Sequence, residues 1–136
     1  MIIKTPTKFF LVSGSSDGFS LLNAFDGALL KSGDGDTNLV RMSSILPPGC
    51  TEIKPRPKAL PQGALVPVAY ASITSDVPGE TISAAVAIGI PEDESLAGLI
   101  MEYSAKAEET VVRDQVIQMV EKGMELRKRP IREIMS

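Results

Sequence analysis

Residues 104–128 constrain the fold of this chain most, because they contain no proline and only one glycine. Their apolar residues recur at three- and four-residue steps, the pattern of an amphipathic helix. These residues are Ala107, Val111, Val112, Val116, Met119, Val120 and Met124. Glu109 and Arg113 stand four residues apart on the outer face, in the order that favours an ion pair. The pattern predicts a long helix, ended by Pro130 and followed by a stub at residues 131–136.

Glycine and proline divide the rest of the chain into short segments that favour strands and one further helix. Ser20 is a candidate cap for that helix, and Gly33 would end it. Its apolar face would consist of Leu21, Leu22, Phe25, Ala28 and Leu29. The predicted strands cover residues 9–12, 38–45, 64–74, 82–90 and 96–103, and residues 54–63 form an extended connection. The order β-α-β-β-β-β-α predicts an α/β (α+β) sandwich of central β-sheet layers with two main helices, forming one domain over residues 1–136.

Histidine is absent from the chain, and Cys50 is its one cysteine. Histidine-dependent triads and dyads, imidazole metal ligands, an internal disulfide and a thiolate zinc site are therefore excluded within one chain. Any catalysis must use carboxylates, hydroxyls, backbone groups, a metal held by oxygen ligands, or an unusual cofactor.

Net charge and hydropathy indicate which classes of partner and which cellular compartment to expect. The net charge of -3 disfavours a nucleic-acid surface. The basic cluster near the C-terminus is typical of a solvated helix end; it consists of Arg127, Lys128, Arg129 and Arg132. There is no run of roughly 18 apolar residues to span a membrane, and Met1–Phe10 lacks the features of a signal peptide. We expect a cytoplasmic protein with no nucleic-acid or membrane partner.

Two adjacent serines, Ser43 and Ser44, end a predicted strand just before Pro47-Pro48. Strain at this peptide bond would favour attack of the Ser44 hydroxyl on the Ser43 carbonyl, an N-to-O acyl shift. β-Elimination of the ester and hydrolysis of the resulting dehydroalanine would leave a pyruvoyl group at a new N-terminus. The ordinary interpretation is a pair of serines in turn hydrogen bonds. The dipeptide alone favours that interpretation, since Ser15-Ser16 is a similar pair.

Two carboxylates stand among apolar residues. Glu102 lies within Leu99–Tyr103, and burial there would favour the neutral form that suits a general acid. Asp26 lies inside the predicted first helix and could bind a guanidinium in a bidentate pair. The alternatives are an outward-facing strand residue for Glu102 and a solvated helix face for Asp26. The sequence has no GxGxxG motif before a predicted helix and no Walker-type phosphate loop.

Five blocks spread over almost the whole chain carry a more specific signal. They are Leu22–Leu30 (LNAFDGALL), Asn38–Pro48 (NLVRMSSILPP), Gly63–Pro67 (GALVP), Ser75–Ala85 (SDVPGETISAA) and Gly98–Tyr103 (GLIMEY). In residue identity, order and spacing they resemble the archaeal and bacterial pyruvoyl-dependent arginine decarboxylases. Five blocks together are far more specific than any single motif, and they reverse the preference for the ordinary interpretation of the serine pair.

The resemblance implies the pyruvoyl-dependent decarboxylase fold and self-cleavage between Ser43 and Ser44. The products would be a β chain of residues 1–43 and an α chain of residues 44–136 that begins with a covalent pyruvoyl group made from Ser44. No metal is implied. The implied reaction converts L-arginine to agmatine and carbon dioxide, in a homotrimer or a dimer of trimers with active sites between subunits.

The resemblance also implies roles for single residues. Asn38 matches the asparagine that assists processing, and Glu102 matches the acid that returns a proton after carbon dioxide leaves. Asp26 matches the helix carboxylate that faces the substrate guanidinium. Leu22, Thr37 and Ile45 fall where the family lines its pocket.

The sequence departs from the family at its end. The family continues with a further strand and an apolar tail, whereas residues 131–136 match only the approach to that strand, so we expect an open sheet edge. This departure leaves one alternative open, an inactive or unprocessed, truncated paralogue with a structural role. A second alternative is a decarboxylase of a different basic amino acid, because Asp26 favours a cationic substrate without being specific for arginine.

Overall fold

The computed structural model describes residues 4–136; residues 1–3, part of the segment considered for a signal peptide, lie outside that range. The elements in chain order are β1 (Lys8–Phe9), α1 (Leu21–Ser32), β2 (Asn38–Arg41), β3 (Ile45–Leu46), β4 (Thr51–Glu52), β5 (Leu65–Val68), β6 (Ser83–Pro91), β7 (Gly98–Ala105), α2 (Glu109–Leu126) and β8 (Ile131–Met135). Two helices with mixed sheets confirm the predicted α+β class. Neither helix of the described range is both long and apolar enough to cross a membrane.

The largest sheet has four strands in the order β3-β7-β6-β8, and each neighbouring pair is antiparallel. The predicted long helix, α2, packs on one face of this sheet against β6 and β7. The buried core between them consists of Ala87, Leu99, Val116, Val120 and Met124. Helix and sheet are in close contact at Gly123, where a Cβ atom would lie 2.2 Å from Cδ2 of Leu99. The one glycine in the helix is therefore explained by packing.

A second core covers the opposite face of the sheet. Its buried residues are Leu46, Cys50, Ile88 and Ile100. Burial raises the pKa of the Cys50 thiol, against the opposing effect of the Lys8 charge. Two small parallel pairs lie outside the main sheet, β1 with β4 and β2 with β5. Each pair joins a strand that precedes the serine pair to a strand that follows it.

The first helix, α1, forms as predicted. The Ser20 hydroxyl accepts a hydrogen bond from the backbone N–H of Asn23 at 3.1 Å, a cap worth about 1 kcal/mol. Gly33 ends the helix in the left-handed conformation, with φ of 97°. The apolar side chains Leu21, Leu22 and Leu30 are nevertheless each more than half exposed. The helix therefore leaves apolar surface uncovered in a single chain.

Several predicted elements differ from the structure. The predicted strand at 38–45 is two strands in different sheets, because the chain leaves β5 after residue 42 and joins β7 at residue 45. The predicted strands at 64–74 and 9–12 shrink to β5 and β1, since their partners pair over only four and two residues. The predicted stub at 131–136 is wrong, because these residues form β8 and pair with β6. Within the described residues, the two outer strands of this sheet are β3 and β8.

Candidate active site

Ser43 and Ser44 lie where the chain passes from one sheet to another. The ladder between β2 and β5 extends to Met42, whose backbone N–H donates to the Val68 carbonyl at 2.9 Å. On the other side, the Ser44 carbonyl accepts a hydrogen bond from the Ile100 N–H at 2.7 Å. The peptide bond between the serines is therefore flanked by two backbone anchors, with Ser44 half-buried and Ser43 exposed.

Glu102 lies on β7, the strand that pairs with β3. It stands two residues beyond Ile100 and so on the same face of the strand. Its side chain is 26% exposed, and its Oε1 lies 3.5 Å from Nη2 of Arg41. Its Oε2 is buried and has no hydrogen-bond partner among residues 4–136. Among the described residues, Oε1 of this carboxylate therefore has a cationic partner and Oε2 has no hydrogen-bond donor.

Arg41, the last residue of β2, links Glu102 to the rest of the fold. Its guanidinium donates to the Tyr70 carbonyl at 2.9 Å and lies over the Tyr70 ring, 4.5 Å from its centroid. Tyr70 in turn packs against Phe25 of α1, with ring centroids 6.2 Å apart. Sequence reasoning missed Arg41 and Tyr70. The available signal was the position of Arg41, two residues before the serine pair in the second block.

An open pocket of about 170 Å³ lies beside this group. Its lining residues are Arg41, Ala71, Ser72, Glu102, Tyr103 and Ser104. Sites for small molecules usually measure roughly 300–1,000 Å³. The pocket in one chain is therefore small for a complete ligand site, and further walls are needed to enclose one.

Asn38 and Thr37 lie at the opposite end of β2 from the serine pair. About 13 Å of extended backbone separates Asn38 from Met42. The Asn38 amide donates to the Gly63 carbonyl at 3.0 Å, and the Thr37 hydroxyl donates to the Asp34 carbonyl at 2.7 Å. Within one chain, these contacts hold both side chains away from Glu102.

The turn that carries Thr37 is fixed by the buried residue Asp34. Burial raises the pKa of Asp34, and the nearby positive charge of Arg56 opposes that effect. Arg56 also donates a hydrogen bond to the Ser32 carbonyl at the end of α1. A residue that follows the serine pair in sequence thus supports a turn that precedes it.

The remaining predicted site residues are exposed. Leu22, on α1, is 75% exposed, and Ile45, which follows Ser44, is 42% exposed. Asp26 is exposed on α1 and forms no ion pair within the described part of the chain. The structure therefore brings Ser44, Ile45 and Glu102 together, and leaves Asp26 free to meet an external cation.

Comparison with known sequences decides the family. A sequence model described as pyruvoyl-dependent arginine decarboxylase matches residues 8–134. This chain belongs to the pyruvoyl-dependent arginine decarboxylase family. The match spans both sides of the Ser43–Ser44 bond and includes every predicted site residue, so the resemblance drawn from the five blocks is confirmed.

Curated pyruvoyl-dependent arginine decarboxylases agree with this assignment. The one from Methanocaldococcus jannaschii is 56% identical over 124 residues, which cover 91% of this chain and 74% of the relative. The one from Methanococcus vannielii is 47% identical over 133 residues, 98% of this chain and 80% of the relative. The one from Thermococcus sibiricus is 46% identical over 123 residues, 90% and 77% respectively. The family description indicates a covalently bound pyruvoyl group.

The surroundings of Ser44 fit such a group. The Ile100 N–H donates to the backbone carbonyl of Ser44. Conversion of residue 44 to a pyruvoyl group would keep that carbonyl and its hydrogen bond. The unpartnered Oε2 of Glu102 provides a polar group that no neighbouring residue satisfies. The donor and acceptor set is therefore compatible with a ketone formed in place at residue 44.

Proposed function

We propose that the chain is a proenzyme that cleaves itself between Ser43 and Ser44 and then decarboxylates L-arginine to agmatine and carbon dioxide. The observation that carries the proposal is the pairing of β3 with β7, which puts Ser44, the residue before β3, beside the strand that carries Glu102. The cofactor precursor and the acid lie within two residues of each other across the sheet. The relatives' names supply arginine as the substrate.

Cleavage uses groups of the chain and water. Oγ of Ser44 attacks the Ser43 carbonyl carbon, the peptide C–N bond breaks, and the Ser44 nitrogen takes up the hydroxyl proton. β-Elimination removes a Cα proton and breaks the Cβ–Oγ bond, which releases the Ser43 carboxylate. Water hydrolyses the dehydroalanine at residue 44, releasing ammonia and leaving the pyruvoyl group. The backbone anchors at Met42 and Ser44 hold both sides of the reacting bond in position.

In turnover, the pyruvoyl group supplies a sink for the electron pair that carbon dioxide leaves behind. Asp26 binds the substrate guanidinium, because an exposed carboxylate can accept both of its parallel N–H groups. Glu102 gives a proton to the substrate α-carbon, and its mostly buried side chain limits exchange of that proton with water. No step requires histidine or a thiol.

We also propose that the chains form a homotrimer or a dimer of trimers with active sites between subunits. The small pocket of one chain supports this, as do the contacts that hold Asn38 away from Glu102. Exposed apolar side chains supply the surface for association; they include Phe19, Leu21, Leu22, Leu30 and Leu65. Light scattering should give the mass of three or six chains, and an active monomer would contradict the proposal.

The reducing cytoplasm is the proposed location. Cys50 is buried and free, which suits a compartment where thiols stay reduced. Fractionation of the producing cells should recover the protein with cytoplasmic markers, and recovery from an oxidising compartment would contradict this.

The intact mass of the purified protein tests the proposed function. We expect two fragments that correspond to residues 1–43 and 44–136, the second blocked to Edman degradation. Carbon dioxide release from arginine, lysine and ornithine then tests the substrate, and arginine should be fastest. A stable single chain that releases no carbon dioxide would favour a structural role instead. Faster carbon dioxide release from lysine would favour the alternative that the protein decarboxylates a basic amino acid other than arginine.

Replacing Asn38 with alanine is expected to slow cleavage by about 10²-fold, the usual effect of removing one oxyanion donor, because in the proposed oligomer the Asn38 amide of a neighbouring subunit supplies that donor. The uncut fraction should be followed by intact mass over time after synthesis. The control is Asn23→Ala, since Asn23 is an exposed amide on α1. Equal cleavage rates in the two variants would remove Asn38 from processing.

Replacing Asp26 with asparagine is expected to raise the KM for arginine by about 10- to 100-fold, because a hydrogen-bonded charge partner of the guanidinium is lost. Cleavage should be unaffected, which intact mass can check. The control is Asp36→Asn, which removes an exposed carboxylate outside α1. An unchanged KM in Asp26→Asn would show that another group recognises the guanidinium.

A further inference from the structure

Glu102 has two oxygens, and the structure treats them differently. Oε1 accepts from the Arg41 guanidinium at 3.5 Å, whereas Oε2 is buried without a donor among the described residues. An oxygen that already accepts from a cation is the poorer site for a proton, since its lone pairs and charge are partly satisfied. When Glu102 is neutral, its proton therefore belongs on Oε2.

Arg41 is itself held from more than one side. Its Nη2 donates to the Tyr70 carbonyl at 2.9 Å, and its guanidinium carbon lies 4.5 Å from the centroid of the Tyr70 ring. Stacking of this kind suits the planar guanidinium better than an ammonium. Arg41 is 56% exposed, so the ion pair alone would contribute little, but the carbonyl and the ring fix its geometry.

The strand register explains how these groups meet. Arg41 stands opposite Val68 in the parallel pair of β2 and β5, and Tyr70 follows two residues later. Glu102 comes from β7 in the other sheet. Arg41 therefore bridges the two sheets close to the proposed cleavage point, and after cleavage it would belong to a different polypeptide from Glu102.

We propose that Arg41 is a positioning residue, anchored on Tyr70, which holds Oε1 of Glu102 so that Oε2 is the oxygen that delivers the proton. This inference rests on the proposed function, because it assigns a supporting group to the proposed acid. It concerns kcat rather than substrate binding, since Arg41 acts through Glu102.

The first measurement needs no cofactor. In a Ser44→Ala chain, which should stay uncut, the free energy of unfolding is measured for Arg41→Gln, for Glu102→Ala, which leaves no acceptor for Arg41, and for both together. Each single change should destabilise the chain, and the double change should cost less than the sum, because each partner loses its role when the other is absent. Strictly additive effects would overturn the inference.

The second measurement is steady-state turnover per cleaved chain, with the cleaved fraction taken from intact mass. Arg41→Gln should lower kcat by about 10- to 100-fold, as a misplaced reacting group does, with KM changed by less than about twofold. Arg41→Lys should recover part of the loss, since it keeps the charge without the planar fork. A kcat within about twofold of the parent, or a rise in KM alone, would overturn the inference.

The Tyr70 ring provides a further test, and Arg113 provides the matched control. Tyr70→Leu removes the ring, so its kcat should fall toward that of Arg41→Gln. Arg113→Gln removes an exposed arginine that pairs with Glu109 on α2, so its kcat should match that of the parent. A kcat in Tyr70→Leu equal to that of Arg113→Gln would contradict the anchoring part of the inference.

The two measurements also separate this inference from the proposed function. If the parent chain neither cleaves nor releases carbon dioxide, the proposed function fails and the assignment to Arg41 falls with it. If the parent chain is active but Arg41→Gln is as fast, only the inference about Arg41 fails.

Discussion

Replacing Ser44 with alanine is expected to leave the chain in one piece and without decarboxylase activity. A methyl group has no lone pair to attack the Ser43 carbonyl, so neither the ester nor the pyruvoyl group can form. The fold should survive, because the backbone contact between the residue-44 carbonyl and the Ile100 N–H needs no side chain. Intact mass measures cleavage, and carbon dioxide release measures decarboxylation. Both cleavage and decarboxylation should be lost completely.

Ser43→Ala is the matched control for this change. The proposed cleavage uses the carbonyl of Ser43 and not its hydroxyl, and the side chain of Ser43 is exposed. The variant should therefore still give two fragments and release carbon dioxide. Cleavage of the Ser44→Ala chain at the same bond would contradict the assignment of Ser44 as the nucleophile.

The second large effect is expected from Glu102→Gln, which should cleave normally but lose turnover by about 10²- to 10⁴-fold, the usual contribution of a general acid. An amide of the same shape can accept from Arg41 but cannot give up a proton to carbon. Carbon dioxide release per cleaved chain is the measurement.

The control for Glu102→Gln is Glu109→Gln on α2, where an exposed carboxylate pairs with Arg113. That change should leave turnover unaltered, because surface pairs of this type contribute little even to stability. Full activity in Glu102→Gln would remove Glu102 from the proton-transfer step and require another donor.

Local patterns were sufficient for the helices of this fold. α1 begins after Ser20 and ends before Gly33, and each of these residues forms its capping hydrogen bonds with residues only three or four positions away. The apolar spacing of α2 correctly predicted Val112, Val116, Val120 and Met124 as buried residues. It was wrong for Val111, which is 57% exposed, and for Ala107, which precedes the helix. The division of residues 38–45 into β2 and β3 was not predictable in the same way. It depends on two partners, β5 and β7, that lie far away in sequence.

The same distinction holds for the candidate site. Ser44 and Glu102 could be singled out because family blocks surround each of them. Their meeting depends on the register of β3 against β7, which no local pattern records. Arg41 and Tyr70 were missed because the contact between them becomes visible only when β2 and β5 are aligned in parallel. The exposed face of α1 likewise could not be distinguished from a core face by its spacing alone.

The two parallel strand pairs have a consequence for the protein after cleavage. β1 pairs with β4 and β2 with β5, and each pair joins residues 4–43 to residues after Ser44. After the proposed cleavage, these pairs would hold together two separate molecules. Denaturation would then release two fragments from each protomer, so their recovery would require a bimolecular step within the protomer as well as assembly of the oligomer. The uncut protomer needs no second fragment to fold, so folding before the proposed cut avoids that step.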